Sequence, residues 1–203
     1  MRVLVPFDAR DPKTRLKGTL DRAERSGFAS AMVEDVVAAV RRAGGEPTVL
    51  ATADVDVAAP VAVDDRSLTS AIHAQLEAAD DPIAIVMGDL PLATQAAIER
   101  LLDADGSLVL VPGRGGGTNA LVVRTDSFYV DFHGASFRDH KGIAATAGID
   151  PTVVDSYRLS TDIDEPSDLV EVLLHGEGGA ATWLEERGFH LVVEAGRVGV
   201  GRE

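Results

Sequence analysis

Short continuous apolar runs alternate along this chain with stretches in which apolar residues recur every three or four positions. Val3-Leu4-Val5 reads as a short buried strand, and a polar loop bearing Lys and Arg follows from about Asp8 to Asp21. Phe28, Met32, Val33, Val36, Val37 and Val40 then recur at helical spacing, with Arg22, Glu24, Arg25, Glu34 and Arg41 on other faces. Gly44-Gly45 stops that helix. Pro47–Ala51 is a second strand and Val61–Val63 a minor one; Asp65 or Ser67 caps a helix over about Leu68–Ala79. Ile83–Met87 is the clearest buried strand and ends at Gly88-Asp89-Leu90-Pro91; Thr94 caps the next helix, to about Asp103. Ser107–Val111 is another apolar run, separated by a glycine-rich loop, Gly113–Gly117, from Ala120–Val123. Ser136 begins a helix to about Ala147, and Val153-Val154 extends toward Ser160–Asp164. Pro166 opens a helix to about His175, and Ala180–Arg187 is one more. Phe189–Val193 and Arg197–Val200, joined across Ala195-Gly196, predict a terminal hairpin. Met and aromatic residues fall on apolar faces as core, with Trp183 packing the last helix and hairpin onto the sheet.

Strands that are apolar on both faces and alternate with helices predict an α/β fold, with a mostly parallel sheet covered on both sides. The expected unit is residues 1–203, with the helix and hairpin of about 178–203 as its C-terminal end. Ligands in such sheets bind beyond the carboxyl ends of the strands. Chemistry is therefore sought after Pro6, after Met87, after Val111 and around Asp162.

Composition and charge narrow the function. Apolar residues make up 45% of the chain, which excludes wholesale disorder. No run approaches the ~20 apolar residues of a membrane span, and the start of the chain does not read as a signal peptide. Cys is absent, so disulfides and thiolate metal sites are excluded, and a cytoplasmic setting is expected. The net charge of −14 disfavours nucleic acid as a partner. Of 19 basic residues only Lys13, Lys17 and Lys141 are Lys. An Asp-rich, Lys-poor chain suits concentrated salt, where the Debye length falls to about 3 Å and self-repulsion is screened. The alternative is a moderately acidic protein of ordinary salt. Where Lys is avoided, two of three within five positions ask for a reason.

Four constellations could carry chemistry. Arg10, Lys13, Arg15 and Lys17 give the first loop the charges to hold a triphosphate or another phosphorylated ligand, Lys as a point charge and Arg as a planar fork. A solvated loop pairing with Asp8 and Asp11 is the alternative. Asp89, directly after a buried strand, offers a hard oxygen ligand for Mg²⁺, or serves only as a turn or cap. Asp162 and Asp164, if extended, point to one face and make a plausible metal site; cap duty before Pro166 is the alternative. The glycines of Gly113–Gly117 allow close approach and an anion nest, or form a plain connection. No helix follows that loop, so it is neither a P-loop nor a dinucleotide fingerprint. The five His show no metal-ligand spacing; His140, four residues after Ser136, is within reach of a substrate phosphate or lies at an ordinary surface position.

Taken together, Val3–Phe7 followed by Lys13-Thr14-Arg15-Leu16, Gly88–Pro91, Gly117–Leu121, Ser136-Phe-Arg-Asp-His140 and Ser160–Pro166 resemble the motifs of the 2-phospho-L-lactate guanylyltransferases, in order, from residue 3 to about 175. The last motif is fairly specific, whereas Asp-Leu-Pro is shared by many nucleotidyltransferases. The terminal hairpin lies outside the resemblance. His133-Gly134-Ala135-Ser136 departs from the Gly-x-Gly-Ser of several relatives, which affects the acceptor contacts. The resemblance implies a glycosyltransferase-A-like nucleotidyltransferase fold, a three-layer sandwich. It implies transfer of GMP from GTP to 2-phospho-L-lactate with release of pyrophosphate, in coenzyme F-420 biosynthesis, by a homodimer. It implies Mg²⁺ held by Asp89, Asp162 and Asp164, and triphosphate or acceptor charge neutralised by Lys13 and Arg15. It also implies substrate contacts at Pro6, Gly88, Gly117, Thr118, Asn119, Ser136 and His140. A phosphate nucleophile is already ionised, so the absence of a nucleophile or base motif fits. Phosphoenolpyruvate, a molybdopterin phosphate or a sugar phosphate are alternative acceptors. A silent nucleotide-binding module is the alternative of another class; it would bind GTP and release no pyrophosphate.

Overall fold

The computed structural model describes residues 1–203. Strand β1 (Arg2–Phe7) leads through the charged loop into helix α1 (Arg22–Arg42), and then come β2 (Glu46–Ala51), β3 (Val61–Val63) and α2 (Leu68–Glu77). Strand β4 (Ile83–Val86) is followed by α3 (Gln95–Asp103), and β5 (Leu108–Pro112) turns directly into β6 (Thr118–Val123). Then come α4 (Ser136–Thr146), β7 (Thr152–Val153), α5 (Tyr157–Ser160), α6 (Leu169–His175), α7 (Gly179–Glu185), β8 (Phe189–Glu194) and β9 (Arg197–Arg202). Seven strands form one sheet in the order β3-β2-β1-β4-β6-β5-β7, parallel except for β6. This is the mostly parallel, three-layer architecture that the alternation predicts. Helix α5 was not expected: its four residues lie in a stretch that reads as extended, and tertiary packing of Leu159 holds them as a turn of helix.

The strands are apolar on both faces because both are covered. Val3, Val5, Ala84, Val86, Val109 and Val111 face α1, α3 and α5; Leu4, Ile83, Ile85, Leu108 and Leu110 face α2 and α4. Helix α1 is apolar on two faces for a related reason. Val33, Val36, Val37 and Val40 meet the sheet, while Phe28, Ala29 and Met32 meet α6, α7 and Phe189. Trp183 therefore packs on Phe28 of α1, ring centroids 5.4 Å apart, and not on the sheet. The predicted hairpin forms a sheet of its own, β8 against β9.

Chain direction puts the ends of β1, β4 and β5 and the start of β6 along one edge of the sheet. β1 leads outward to β2 on one side, and the chain returns to place β4 on the other. The crevice between β1 and β4 is thus a topological switch point, where α/β sheets bind ligands. Gly88 at the end of β4 is required there by close approach: a Cβ would lie 2.6 Å from the Pro6 carbonyl oxygen.

The C-terminal helices are pinned to α1 by one carboxylate. Asp35 accepts from the amides of Gly179 (2.6 Å) and Ala180 (2.8 Å), the first amides of α7. Replacing Asp35 with Ala should lower unfolding free energy by about 1–2 kcal/mol, with Asn intermediate, as for a lost helix cap. Urea midpoints at constant m-value check this; an unchanged Asp35→Ala midpoint contradicts it.

Candidate active site

The loop after β1 carries Lys13 over the sheet edge, and its backbone is unusual. Lys13 has φ +54°, the left-handed region that few non-glycine residues adopt, and a short 3₁₀ turn, Thr14–Leu16, follows. Two features hold the loop there. Leu16 and Leu20 are buried against α1, and Arg25 of α1, 5% exposed, reaches back into the loop. Its guanidinium donates to the Pro12 carbonyl at 3.2 Å and pairs with Asp11 at 2.8 Å. That hydrogen bond from Arg25 holds the Asp11 carboxyl below its ordinary range.

The Lys13 ammonium lies 2.7 Å from Asp89 Oδ2 and 2.7 Å from Asp164 Oδ1, with its side chain 9% exposed. Burial works against the charge, but the two carboxylates outweigh it and raise the Lys13 pKa above its ordinary value. Arg15 pairs with the other oxygen of Asp164 at 3.1 Å from a more exposed position. Residues 162–164 run beside the end of β4, the Ile163 amide donating to the Asp89 carbonyl at 3.2 Å. Ile163 is buried, so Asp162 and Asp164 flank it on the opposite side, as period two predicts. Asp168 accepts from the amides of Asp164 (3.0 Å) and Glu165 (2.8 Å) and fixes that segment. Asp162 turns to Asn119, whose side-chain amide donates to it at 3.1 Å. Burial, opposed by that hydrogen bond, and the charges of Asp89 and Asp164 raise its pKa.

In this arrangement the three aspartates are not gathered as a ready three-ligand cage. Lys13 stands between two of them and the third is held apart by Asn119. The donor set still suits Mg²⁺ or Mn²⁺, hard cations that take one or two carboxylates and fill the remaining positions with phosphate oxygens and water. A cleft of about 390 Å³ is lined by Lys13 and Asp89, by Pro6 and Gly88, and by Thr52 and Asp64.

Beside this cleft, Thr118 and Asn119 lie on β6 and not in the preceding loop. Val111 pairs with Ala120 but Pro112 pairs with Thr118, so Asn119 is the extra residue of a β-bulge. The bulge re-aims both side chains: Asn119 reaches Asp162 on the α5 side, and Thr118 reaches α4 on the other. Ser136 Oγ accepts from the Thr118 amide at 2.9 Å, and Phe137 N donates to the Gly116 carbonyl at 3.2 Å. Most of the amides that an anion nest at Gly113–Gly117 would use, one of the two readings of that loop, are already taken within the protein, those of Gly115 and Gly117 excepted. The amides of Gly113, Arg114, Gly116 and Thr118 are given to Gly117, Ser160, Gly113 and Ser136. His140 is fully buried, which corrects the surface position that was one of its two readings; its ring contacts Thr118 Oγ1 at 2.8 Å.

A family model described as "Guanylyl transferase CofC like" matches residues 1–200. The chain belongs to this family. A 2-phospho-L-lactate guanylyltransferase of Halomicrobium mukohataei is 57% identical over 202 residues, covering all of both chains. One of Natronomonas pharaonis is 58% identical over 202 residues, covering all of this chain and 99% of its own. Both come from halophilic archaea. Among solved structures, a Desulfovibrio desulfuricans protein described as a nucleotide-diphospho-sugar transferase superposes with a TM-score of 0.76 at 16% identity, over 92% of this chain and 94% of that one. A Mycobacterium tuberculosis protein solved in complex with manganese gives 0.52 at 18% identity, over 85% and 97%. The fold of this CofC-like guanylyl transferase is thus that of the nucleotidyltransferases. No helix is long and apolar enough to cross a membrane.

Of the residues predicted for the site, Pro6, Lys13, Arg15, Gly88, Asp89 and Asp164 line one cleft. Asn119 joins them through Asp162, while Gly117, Thr118, Ser136 and His140 form a braced corner beside it. Thr52, Asp64 and Arg66 line the far end and were missed, because single polar residues at strand ends carry no motif. Arg25 was placed on another face of α1 than the apolar one, and its burial comes from the loop that covers it.

Burial lowers the His140 pKa to about 4, with Asp131 and Asp139 opposing. The fold therefore favours the neutral ring. Its stability contribution is intact above about pH 6.5 and is lost as pH falls toward 4, at no more than about 1.4 kcal/mol per unit from this one proton. Urea unfolding across pH 7 to 4 should show this loss, and His140→Asn should remove that component. The same slope in the variant would contradict the assignment.

Proposed function

We propose that this chain is a 2-phospho-L-lactate guanylyltransferase: it joins GMP from GTP to the phosphate of 2-phospho-L-lactate and releases pyrophosphate. The observation that carries this reading is the full-length identity of 57–58% to proteins of that name, together with the cationic and carboxylate groups gathered at the β1/β4 crevice. An acceptor phosphate oxygen bonds to the α-phosphorus of GTP, and the bond from that phosphorus to the β-phosphate bridging oxygen breaks. The attacking oxygen is ionised at neutral pH, so no side chain need remove a proton. The chain supplies position and charge.

In this reading GTP occupies the cleft, with its triphosphate over Lys13 and Arg15 and its base at the end lined by Leu50, Met87, Thr52 and Asp64. The Asp64 carboxylate is engaged by the Arg66 amide and guanidinium, and in this reading it exchanges those partners for the N–H groups of guanine's pairing edge. Asp89, Asp162 and Asp164 would hold a divalent cation, Mg²⁺ by expectation; a fold neighbour solved with manganese supports divalent metal use. Bound there, the metal would stabilise charge on the α-phosphate and on the leaving pyrophosphate. Lys13 then turns its ammonium to phosphate oxygens, which replace the carboxylates as its partners. Thr118 and Ser136 hydrogen-bond the acceptor at the braced corner. Residues 1–203 are taken as one catalytic unit acting as a homodimer.

Pyrophosphate release from GTP and Mg²⁺ at molar KCl, with 2-phospho-L-lactate and phosphoenolpyruvate supplied separately, tests the reaction. Release with 2-phospho-L-lactate is expected. Release with phosphoenolpyruvate alone moves the acceptor, and no release with either, from folded protein that binds GTP, contradicts the reading. Asp89→Asn should cut kcat by at least about 10²-fold while stability changes by no more than about 1 kcal/mol, since Asp164 still pairs Lys13. A folded Asp89→Asn protein with normal turnover would falsify the metal assignment.

A further inference from the structure

His140 makes two polar contacts that together settle where its proton sits. The backbone N–H of Asp131 donates to Nε2 at 2.9 Å, so Nε2 carries no proton and accepts. In the neutral ring the proton is therefore on Nδ1, which faces Thr118 Oγ1 at 2.8 Å. Nδ1–H donates, and the Thr118 oxygen accepts. The hydroxyl's own proton cannot return to His140 and must be offered elsewhere. Thr118 Oγ1 has no second hydrogen-bond partner in the protein, and Thr118 is 3% exposed.

The surroundings hold the ring in this one orientation. Phe132 and Phe128 meet it edge-on, with centroids 5.0 and 5.7 Å away. The Thr118 backbone is fixed in turn, its amide donating to Ser136 Oγ. The adjacent residue, Asn119, reaches Asp162 of the carboxylate group. Asn119 and Thr118 thus serve opposite faces of β6, and on the α4 face the hydroxyl has both its oxygen and its backbone pinned.

We propose that His140 is a positioning residue, which by donating Nδ1–H to Thr118 Oγ1 directs the Thr118 hydroxyl proton at the phosphorylated acceptor. This rests on the reading that Thr118 contacts the acceptor. His140 itself never touches substrate. A short polar side chain on β6 is converted by a buried ring into a donor of fixed direction.

Two substitutions separate this from a purely structural role. His140→Asn keeps a donor near the Nδ1 position and loses the acceptor for Asp131 N–H. His140→Gln keeps an acceptor near Nε2 and loses the donor to Thr118. The proposal expects Gln to raise the acceptor KM about tenfold, the loss of one hydrogen bond, with GTP KM changed less than about twofold. Asn should raise the acceptor KM less than about threefold, even where its melting temperature is the lower of the two. A structural brace alone predicts that KM follows stability, and that ranking overturns the proposal.

The double variant completes the test. In a Thr118→Val background, His140→Gln should add no further acceptor KM defect, whereas additive defects overturn the proposal. Thr118→Val with wild-type acceptor KM overturns both the proposal and the reading of Thr118 on which it rests. The proton position is read without any substitution, from imidazole ¹⁵N resonances of the full chain. A protonated Nδ1 with a bare Nε2 is expected for His140, and the opposite tautomer overturns the proposal.

Discussion

Carboxylates gathered in a half-buried cleft repel one another unless a cation stands between them, and here that cation is the ammonium of Lys13, 2.7 Å from both Asp89 and Asp164. This contact ties together three parts of the chain: the loop after β1, the end of β4 and the segment before α6. The rest of the cleft follows from it. The loop can reach only because Lys13 adopts φ +54° and because Arg25 pins Asp11 and Pro12 from beneath. The strand end can approach only because Gly88 has no Cβ to meet the Pro6 carbonyl. Asp164 stays in place because Asp168 takes up its amide.

The same sheet edge solves a charge problem. A chain of net charge −14 repels an anionic nucleotide at long range, yet Lys13, Arg15 and Arg66 face one cleft. In concentrated salt the repulsion between distant acidic groups is screened within a few ångströms, while contacts of about 3 Å survive. The cleft lining sets these three cations against five carboxylates, Asp8, Asp11, Asp64, Asp89 and Asp164, so under the proposed reading the divalent cation supplies the further positive charge that a triphosphate needs. Beyond the cleft, the Asn119 bulge divides labour between adjacent residues, one bracing a carboxylate and the other a hydroxyl. The machinery is positional throughout, which is what transfer to an already ionised phosphate requires.

Much of this was legible in the residue pattern. The strands and helices came from apolar runs and caps, since packing on both sheet faces leaves a clear signal in Val3–Val5, Ile83–Val86 and Leu108–Val111. Lys13, Asp89 and Asp164 stood at strand ends or beside them, where a parallel sheet binds ligands. What escaped notice depended on contacts distant in sequence. No local pattern announces that Arg25 is buried beneath a loop, or that Trp183 meets Phe28 of α1 and not the sheet. Nothing local shows which face Thr118 takes, because the bulge at Asn119 reverses parity without altering composition. His140 read as a surface residue because the rings that enclose it, Phe128 and Phe132, lie on an irregular segment before α4. The glycine loop left an anion nest and a plain connection both open, because which of its backbone groups are taken by Ser160 and by α4 depends on contacts distant in sequence.

The central claim is that the carboxylates around Lys13 hold the catalytic cation once the nucleotide is bound. The most direct measurement is a crystal structure with Mn²⁺ and a non-hydrolysable GTP analogue, with the metal located by its anomalous scattering. The account predicts a manganese peak against Asp89 and at least one of Asp162 and Asp164, with the Lys13 ammonium moved onto phosphate oxygens. A manganese ion bound elsewhere, with Lys13 still between Asp89 and Asp164, would contradict it.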